Sequence, residues 1–105
     1  MEGYIVVFIT APKDKGIEIA RSIVEKRMGA CVNIVAQVNS IYWWKGNIEE
    51  DEESLLIVKT TAEKFGELKD FVKGIHPYTV PEIIALPILS GNEEYLRWMD
   101  ENING

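Results

Sequence analysis

The chain has 105 residues, of which 47% are apolar and 27% are charged, and its formal net charge is −6. These values predict one folded domain over residues 1–105, exclude a disordered chain, and make free nucleic acid and anionic membranes poor partners. Cys31 is the only cysteine and no run reaches the roughly 18 apolar residues of a membrane span, so we expect a cytoplasmic protein without disulfides.

The first part of the chain predicts a strand, a helix and a long hairpin. Residues 4–10 form a β-branched apolar run, which is typical of a strand buried on both faces. Residues 14–28 carry apolar side chains at helical spacing, and Gly29 follows where a left-handed helix cap belongs. Residues 30–44 and 48–61 read as two strands joined by a turn, which predicts a β-hairpin.

The second part predicts a helix, a strand and a further helix. Thr61 is placed to cap a helix whose apolar side chains recur through residue 75. Residues 81–89 form a fourth strand, in which Pro87 indicates an edge position or a bulge. A short C-terminal helix contains residues 95–99. With right-handed crossovers, this order predicts an α+β, ferredoxin-like βαββαβ sandwich whose first and third strands are central.

The predicted hairpin is too long for its own domain. Its first strand extends about 45 Å, whereas the longest predicted helix covers only about 22 Å. About half of the hairpin therefore projects beyond the helices, and this half carries Tyr42, Trp43 and Trp44. Either these rings fold back onto the same domain, or, as we favour, they pack on neighbouring subunits of a closed oligomer. The acidic run at 49–53 is either a solvated edge that blocks aggregation, which we favour, or a dedicated cation site.

The segment H-P-Y-T-V-P-E at residues 76–82 contains the only histidine of the chain. His76 precedes a proline, so its backbone is expected to be extended and to end the second helix. The two prolines stiffen the segment and fix the directions of Tyr78 and Glu82. His76 either binds carbonyl groups at the helix end or belongs to a functional site, and the sequence leaves both open.

Two further residues have more than one interpretation. For Cys31, packing in the core is favoured over metal ligation. One cysteine and one histidine per chain cannot build a closed tetrahedral metal site, but copper accepts fewer ligands, and a symmetric trimer would supply three copies of each. Lys59 ends a central strand, where it either extends to solvent or points into a cleft.

Enzymatic and RNA-binding functions are not expected. The sequence has no nucleophile elbow, phosphate-binding loop or dinucleotide-binding motif, and a single histidine limits the possible catalytic triads. RNA recognition on a ferredoxin-like sheet depends on an aromatic-rich third strand, whereas the third strand here reads S-L-L-I-V-K-T.

Five stretches carry a resemblance to a known family: A-C-V-N (30–33), Y-W-W-K-G (42–46), L-I-V-K-T (56–60), H-P-Y-T-V-P-E (76–82) and Y-L-R-W (95–98). Over nearly its whole length the chain resembles the CutA family of divalent-cation tolerance proteins. This resemblance implies a ferredoxin-like subunit in a tight homotrimer, similar in architecture to the PII signalling proteins. It also implies a cytoplasmic protein associated with tolerance to copper and other divalent cations.

The resemblance further implies that one group of side chains lies at a cleft between subunits: Tyr42, Trp44, Lys59, His76, Tyr78 and Glu82. Some relatives have additional cysteines that are invoked as copper ligands, whereas this chain has Cys31 alone. We therefore predict a non-enzymatic trimer that binds copper through His76, with Glu82 or Cys31 as partners. The alternatives are a PII-like signalling or adaptor protein with a small ligand beside Lys59, and a structural scaffold for partner proteins.

Overall fold

A computed structural model describes residues 3–104, in which four strands form one antiparallel sheet and three α-helices pack on it. The strands are β1 (Tyr4–Pro12), β2 (Cys31–Trp44), β3 (Asn47–Thr61) and β4 (Ile83–Pro87). The helices are α1 (Gly16–Glu25), α2 (Phe65–Ile75) and α3 (Glu93–Asn104). The strand order is β2-β3-β1-β4, so β1 and β3 are central, as the ferredoxin-like prediction requires. No helix within residues 3–104 is long and apolar enough to cross a membrane.

The core lies between one face of the sheet and helices α1 and α2. In β1, every second side chain is fully buried, and the side chains between them are only partly buried. The strand is therefore covered closely on one face, which corrects the prediction that both of its faces are buried. The helices supply their apolar stripes to the same core, which contains Ile5, Val7, Ile9, Ile19, Ile23, Leu56, Val58, Leu68 and Val72.

The second face of the sheet is covered at one end by α3. Tyr4, whose side chain alternates onto this face, donates a hydrogen bond to the carboxylate of Asp100 on α3. Met99 and Ile103 of the same helix are buried. Arg27 Nη1 also donates to the carbonyl oxygen of Asn102 over 2.8 Å, which ties the loop after α1 to the end of α3.

The end of α1 differs from the prediction. The helix spans Gly16–Glu25 rather than 14–28, and the left-handed residue after it is Arg27 (φ 57°) rather than Gly29. Gly29 has a different role, because a Cβ atom there would lie 2.6 Å from Cγ1 of Val58. The glycine is therefore needed so that the chain can pass close to the core before β2 begins.

Two other boundaries also differ. Thr61 makes no side-chain capping hydrogen bond, and a 3₁₀ turn at Ala62–Lys64 leads into α2 instead. Strand β4 covers Ile83–Pro87 rather than 81–89. Its Pro87 pairs with Ile5 of β1 and has no strand on its other side, so the predicted edge position of β4 is confirmed.

Strands β2 and β3 form a hairpin that extends past the helices. The strands have 14 and 15 residues, and Lys45 and Gly46 join them with φ values of 50° and 81°, the left-handed pair of a tight two-residue turn. Helices α1 and α2 have 10 and 11 residues, which correspond to about 15–17 Å. The described residues extend over 44 Å along their longest axis, so the projecting hairpin is confirmed.

Candidate functional site

A cleft of about 750 Å³ separates the hairpin from the segment after α2. We call residues 76–82 the connector, because they run from the end of α2 to β4. The hairpin contributes one wall of the cleft, the connector contributes the other, and β1 contributes the floor. The residues that line the cleft are Thr10, Ser40, Ile41, Tyr42, Trp44, Glu53, Pro77, Tyr78, Thr79, Val80 and Glu82.

The pairing of β2 with β3 decides which side chains face the cleft. An irregularity between Val35 and Val38 resets the register, after which Val38 pairs with Glu53 and Tyr42 with Glu49. Paired residues share a face and side chains alternate along each strand, so Tyr42 and Trp44 lie on the face of Glu53. Trp43 lies on the opposite face and is 71% exposed.

His76 anchors the connector through both nitrogens of its ring. Its backbone is extended (φ −78°, ψ 137°) and ends α2, as predicted from the following proline. Nε2 lies 2.7 Å from the carbonyl oxygen of Thr10, and Nδ1 accepts the backbone N–H of Tyr78 over 3.1 Å. Because a carbonyl oxygen can only accept, Nε2 carries the proton and the ring is in its neutral form. In this conformation neither ring nitrogen has a lone pair free for a metal ion.

Glu53 is a functional candidate that sequence reasoning included in the acidic run but did not single out. Its residue is only 5% exposed, and it accepts a 3.0 Å hydrogen bond from the hydroxyl of Tyr78. Burial, followed by this hydrogen bond to Glu53, raises the pKa of Tyr78. The sequence did contain a signal, because side chains alternate along β3 and Glu53 lies on the same face as the partly buried Leu55 and Ile57. The interpretation of residues 49–53 as a wholly solvated edge is therefore wrong at its last residue.

The other ionisable groups of the cleft are perturbed by the same surroundings. Burial, with a smaller contribution from the negative charge of Glu53, raises the pKa of Glu82 above its ordinary value. Tyr42 donates its hydroxyl hydrogen bond to Asp51, and this bond raises the pKa of Tyr42 to about 12. Both phenols thus stay protonated near neutral pH, and the carboxyl groups provide the charge of the cleft.

The structure brings together four of the six residues predicted for the cleft. Tyr42, Trp44, Tyr78 and Glu82 line it, and the ring of His76 lies behind it, with its centroid 4.8 Å from that of Tyr78. Lys59 is six residues from Glu53 along β3, which corresponds to about 20 Å. Within one chain Lys59 is therefore outside the cleft, and its place in a cleft between subunits stays a prediction.

The predicted copper ligands do not meet within one chain. Cys31 pairs with Lys59 at the end of the hairpin far from the cleft, so it cannot join His76 and Glu82. Among residues 3–104, no three His, Cys, Asp or Glu side chains are close enough to hold a metal ion. The oxygen atoms of Glu53 and Glu82 could bind a cation in the cleft, whereas the nitrogen and sulfur donors that copper prefers are occupied or distant.

A family model described as CutA1 divalent ion tolerance protein matches residues 5–102 of the chain. The divalent-cation tolerance protein CutA of Thermus thermophilus is 56% identical over 98 residues, which are 92% of this chain and 95% of that protein. The human protein CutA is 53% identical over 93 residues, or 88% of this chain. The chain spans only about half of the human protein, 52% of its length.

The fold is also found among solved structures. The protein described as periplasmic divalent cation tolerance protein CutA from Archaeoglobus fulgidus superposes with a TM-score of 0.92 at 44% identity. The superposition covers 95% of this chain and 98% of that one. The four-stranded antiparallel sheet with its three helices is therefore the fold of these relatives.

Proposed function

This chain belongs to the CutA1 divalent ion tolerance family, and from that premise we propose that it is a non-enzymatic protein that binds a divalent cation. The observation that carries this proposal is the charge of the cleft. Glu53 and Glu82 line it, and no Lys, Arg or His is among the described residues that do so. A cleft with carboxylates and without a basic side chain attracts cations and repels anions.

We propose copper as the cation, with the assembled protein rather than a single chain as the binding unit. His76 would become available as a ligand if the hydrogen bond from the backbone N–H of Tyr78 to Nδ1 opened. Cys31 would contribute only where another subunit brings it near a carboxylate. Glu53 and Glu82 supply oxygen atoms without such a rearrangement, and oxygen ligands alone favour ions such as Mg²⁺, Ca²⁺ and Mn²⁺.

We propose a homotrimer as the assembled state. Its support is the apolar surface that one chain leaves open: Ile41, Trp43 and Ile48 on the projecting hairpin, and Ile84 and Leu86 on β4, are each at least 45% exposed. Monomeric proteins rarely expose that many large apolar side chains together. If the hairpin packs on neighbouring chains, these apolar side chains are removed from water.

The metal proposal is tested by calorimetric titration of the assembled protein with Cu²⁺. We expect saturable binding that is weakened at least about tenfold in both His76→Ala and Glu82→Gln. Glu52→Gln is the matched control, because Glu52 is exposed and pairs with Lys13 outside the cleft. If Cu²⁺ binds equally well to the wild type, His76→Ala and Glu82→Gln, the cleft is not the copper site. The same titration with Mg²⁺ and Mn²⁺ identifies the preferred ion.

A PII-like sensor or adaptor is the second candidate, favoured by one observation on Lys59. Lys59 is half-buried, and in the described part of the chain no carboxylate lies within ion-pair distance of it. A small anion could therefore bind beside it. Thermal-shift measurements of metals against nucleotides and carboxylate metabolites separate the two candidates. A shift confined to the anions, and lost in Lys59→Met, would favour the sensor.

We propose the cytoplasm as the location of the protein. The support is the cysteine content of the chain, since Cys31 alone cannot form a disulfide within the chain. The Archaeoglobus fulgidus relative is described as periplasmic, so the location needs its own test. Cell fractionation with an antibody against the chain provides it, and recovery outside the cytoplasm would contradict the proposal.

A further inference from the structure

The cleft is far larger than a metal ion requires. A volume of about 750 Å³ lies in the range of pockets that take small organic molecules, about 300–1,000 Å³. Much of its lining is apolar or aromatic: Ile41, Tyr42, Trp44, Pro77, Tyr78 and Val80. Such walls supply no ligand atoms to a metal ion, but they contact the body of an organic ligand.

The polar end of the cleft contains a buried negative charge without a cationic partner. Glu53 is 5% exposed, and no Lys, Arg or His among residues 3–104 forms an ion pair with it. The hydroxyl of Tyr78 donates to Oε2, while Oε1 has no hydrogen-bond donor in the described part of the chain. Among the described residues, every side-chain oxygen that is sealed from solvent has a hydrogen-bond partner. Because Oε1 has none, it is accessible to solvent, and Glu53 lines the cleft. A buried carboxylate in this state favours a cationic guest.

The aromatic walls favour the same charge. The faces of indole and phenol rings attract cations within about 6 Å of the ring centroid. Trp44 already attracts one, since Nζ of Lys45 lies 5.9 Å from the centroid of its ring. Tyr42 and Tyr78 donate their hydroxyl groups to Asp51 and Glu53, which leaves their rings as apolar surfaces along the cleft.

We propose that this cleft binds an organic cation, in which a primary ammonium or guanidinium head contacts Glu53 and Glu82 and an apolar or aromatic body lies against Tyr42, Trp44 and Tyr78. The inference rests on the proposed function in one respect, that the carboxylates of the cleft receive a cation. It adds the chemical class of the guest. An organic cation and a divalent metal ion then compete for the same two carboxylates.

The probe is benzylamine, titrated into the assembled wild-type protein near neutral pH and low ionic strength. Benzyl alcohol, its neutral counterpart, and benzoate, an anion with the same ring, serve as ligand controls. We expect saturable binding of benzylamine, at least about tenfold weaker binding of benzyl alcohol, and no binding of benzoate. Equal binding of benzylamine and benzyl alcohol would overturn the inference, because the cleft would then be a plain apolar pocket.

Matched variants locate the probe. Glu53→Gln keeps an oxygen that can accept the hydroxyl of Tyr78 but removes the charge, and we expect it to weaken benzylamine binding about tenfold or more. Glu52→Gln, which removes the neighbouring exposed charge, should leave binding unchanged. Trp44→Leu should weaken binding severalfold, whereas Trp43→Leu on the opposite face of the hairpin should not. Losses that are equal in the cleft variants and their controls would overturn the assignment.

A parallel titration with Cu²⁺ separates this inference from the proposed function. Copper binding without benzylamine binding would overturn the organic-cation inference and leave the metal proposal standing. Benzylamine binding without copper binding would support the inference and remove direct copper binding from the proposed function. Saturable binding of both, with copper reducing the apparent affinity for benzylamine, is the result that we expect.

Discussion

The two halves of the β2–β3 hairpin differ in how they are buried, although they belong to the same two strands. In the near half, residues 31–35 with 55–61, Leu56 and Val58 are fully buried under α1 and α2. In the far half, residues 38–44 with 47–53, Ile41 and Ile48 remain 67% and 60% exposed. Strand pairing alone therefore extends the hairpin but does not bury it, because burial requires a second layer that the short helices do not reach.

The same division separates structure from function. The near half stabilises the subunit by removing apolar surface from water, about 25 cal/mol for each Å². The far half leaves its apolar and aromatic side chains accessible, and one of its faces forms a wall of the cleft. A region that cannot be buried within its own chain is thus available both to bind a ligand and to pack on a neighbour.

The largest contrast between the halves is expected from truncating one apolar side chain in each. Leu56→Ala should lower the free energy of unfolding by about 2–5 kcal/mol, because it empties a fully buried position. Urea denaturation at one fixed protein concentration measures the loss. Ile41→Ala is the control in the far half, and its effect should grow as the protein is diluted if neighbouring chains cover that half. A loss below about 1 kcal/mol in Leu56→Ala would contradict the division.

A smaller effect is expected where the chain enters the near half. Gly29→Ala should cost about 1–3 kcal/mol, since its Cβ would lie 2.6 Å from Val58 and 3.1 Å from Ile23. Gly74→Ala is the matched control, because the space around Gly74 in α2 is open and alanine favours a helix by up to about 1 kcal/mol. The double variant Gly29→Ala with Val58→Ala should lose less than the sum of the single losses. If the two single losses add in full in the double variant, the contact with Val58 is not the cause of the loss in Gly29→Ala.

The tip of the far half should respond more weakly. Gly46→Ala places a side chain at φ 81°, which costs about 1–2 kcal/mol in the left-handed region although no atom lies within 4 Å. The change should be visible in the fluorescence of the neighbouring tryptophans before the global unfolding midpoint moves. If the midpoint shifts as much as in Leu56→Ala, the far half is not separable from the core.

The smallest effect concerns Glu82 and pH. Partial desolvation in the cleft and the charge of Glu53 raise its folded-state pKa above the ordinary value of 4.5, so folding favours the protonated carboxyl. Its contribution to stability is therefore present below pH 4.5 and is lost as pH rises through the folded pKa. Glu82→Gln should stabilise the protein at pH 7 by less than about 1 kcal/mol, since Glu82 is exposed and screened by solvent, and should be neutral near pH 4. Stabilisation by Glu82→Gln near pH 4 but not at pH 7 would contradict a raised folded-state pKa of Glu82.

Much of the fold follows from patterns that are local in sequence. The continuous apolar runs of β1 and β3, the helical spacing of α1 and α2, and the proline at the edge of β4 predict the order of the sheet. The errors have long-range causes. Gly29 was assigned to a helix cap, whereas its role is set by Val58, 29 residues away in the chain. No local rule for helix ends contains that contact.

The candidate site was only partly predictable for the same reason. The prolines of the connector fix its shape locally, so the extended backbone of His76 was predicted correctly. The partners of the His76 ring were not, because Thr10 is 66 residues away. Glu53 looked like one of five solvated acidic residues, and only its pairing with Pro12 and Val38 decides that it is buried.

Sedimentation equilibrium at micromolar concentration tests most directly the claim that neighbouring chains bury the far half of the hairpin. The account predicts one folded species with three times the 11.9 kDa mass of the chain, in which tryptophan emission is shifted to the blue. A folded species of 11.9 kDa at all concentrations, with the indoles of Trp43 and Trp44 emitting as in water, would contradict it.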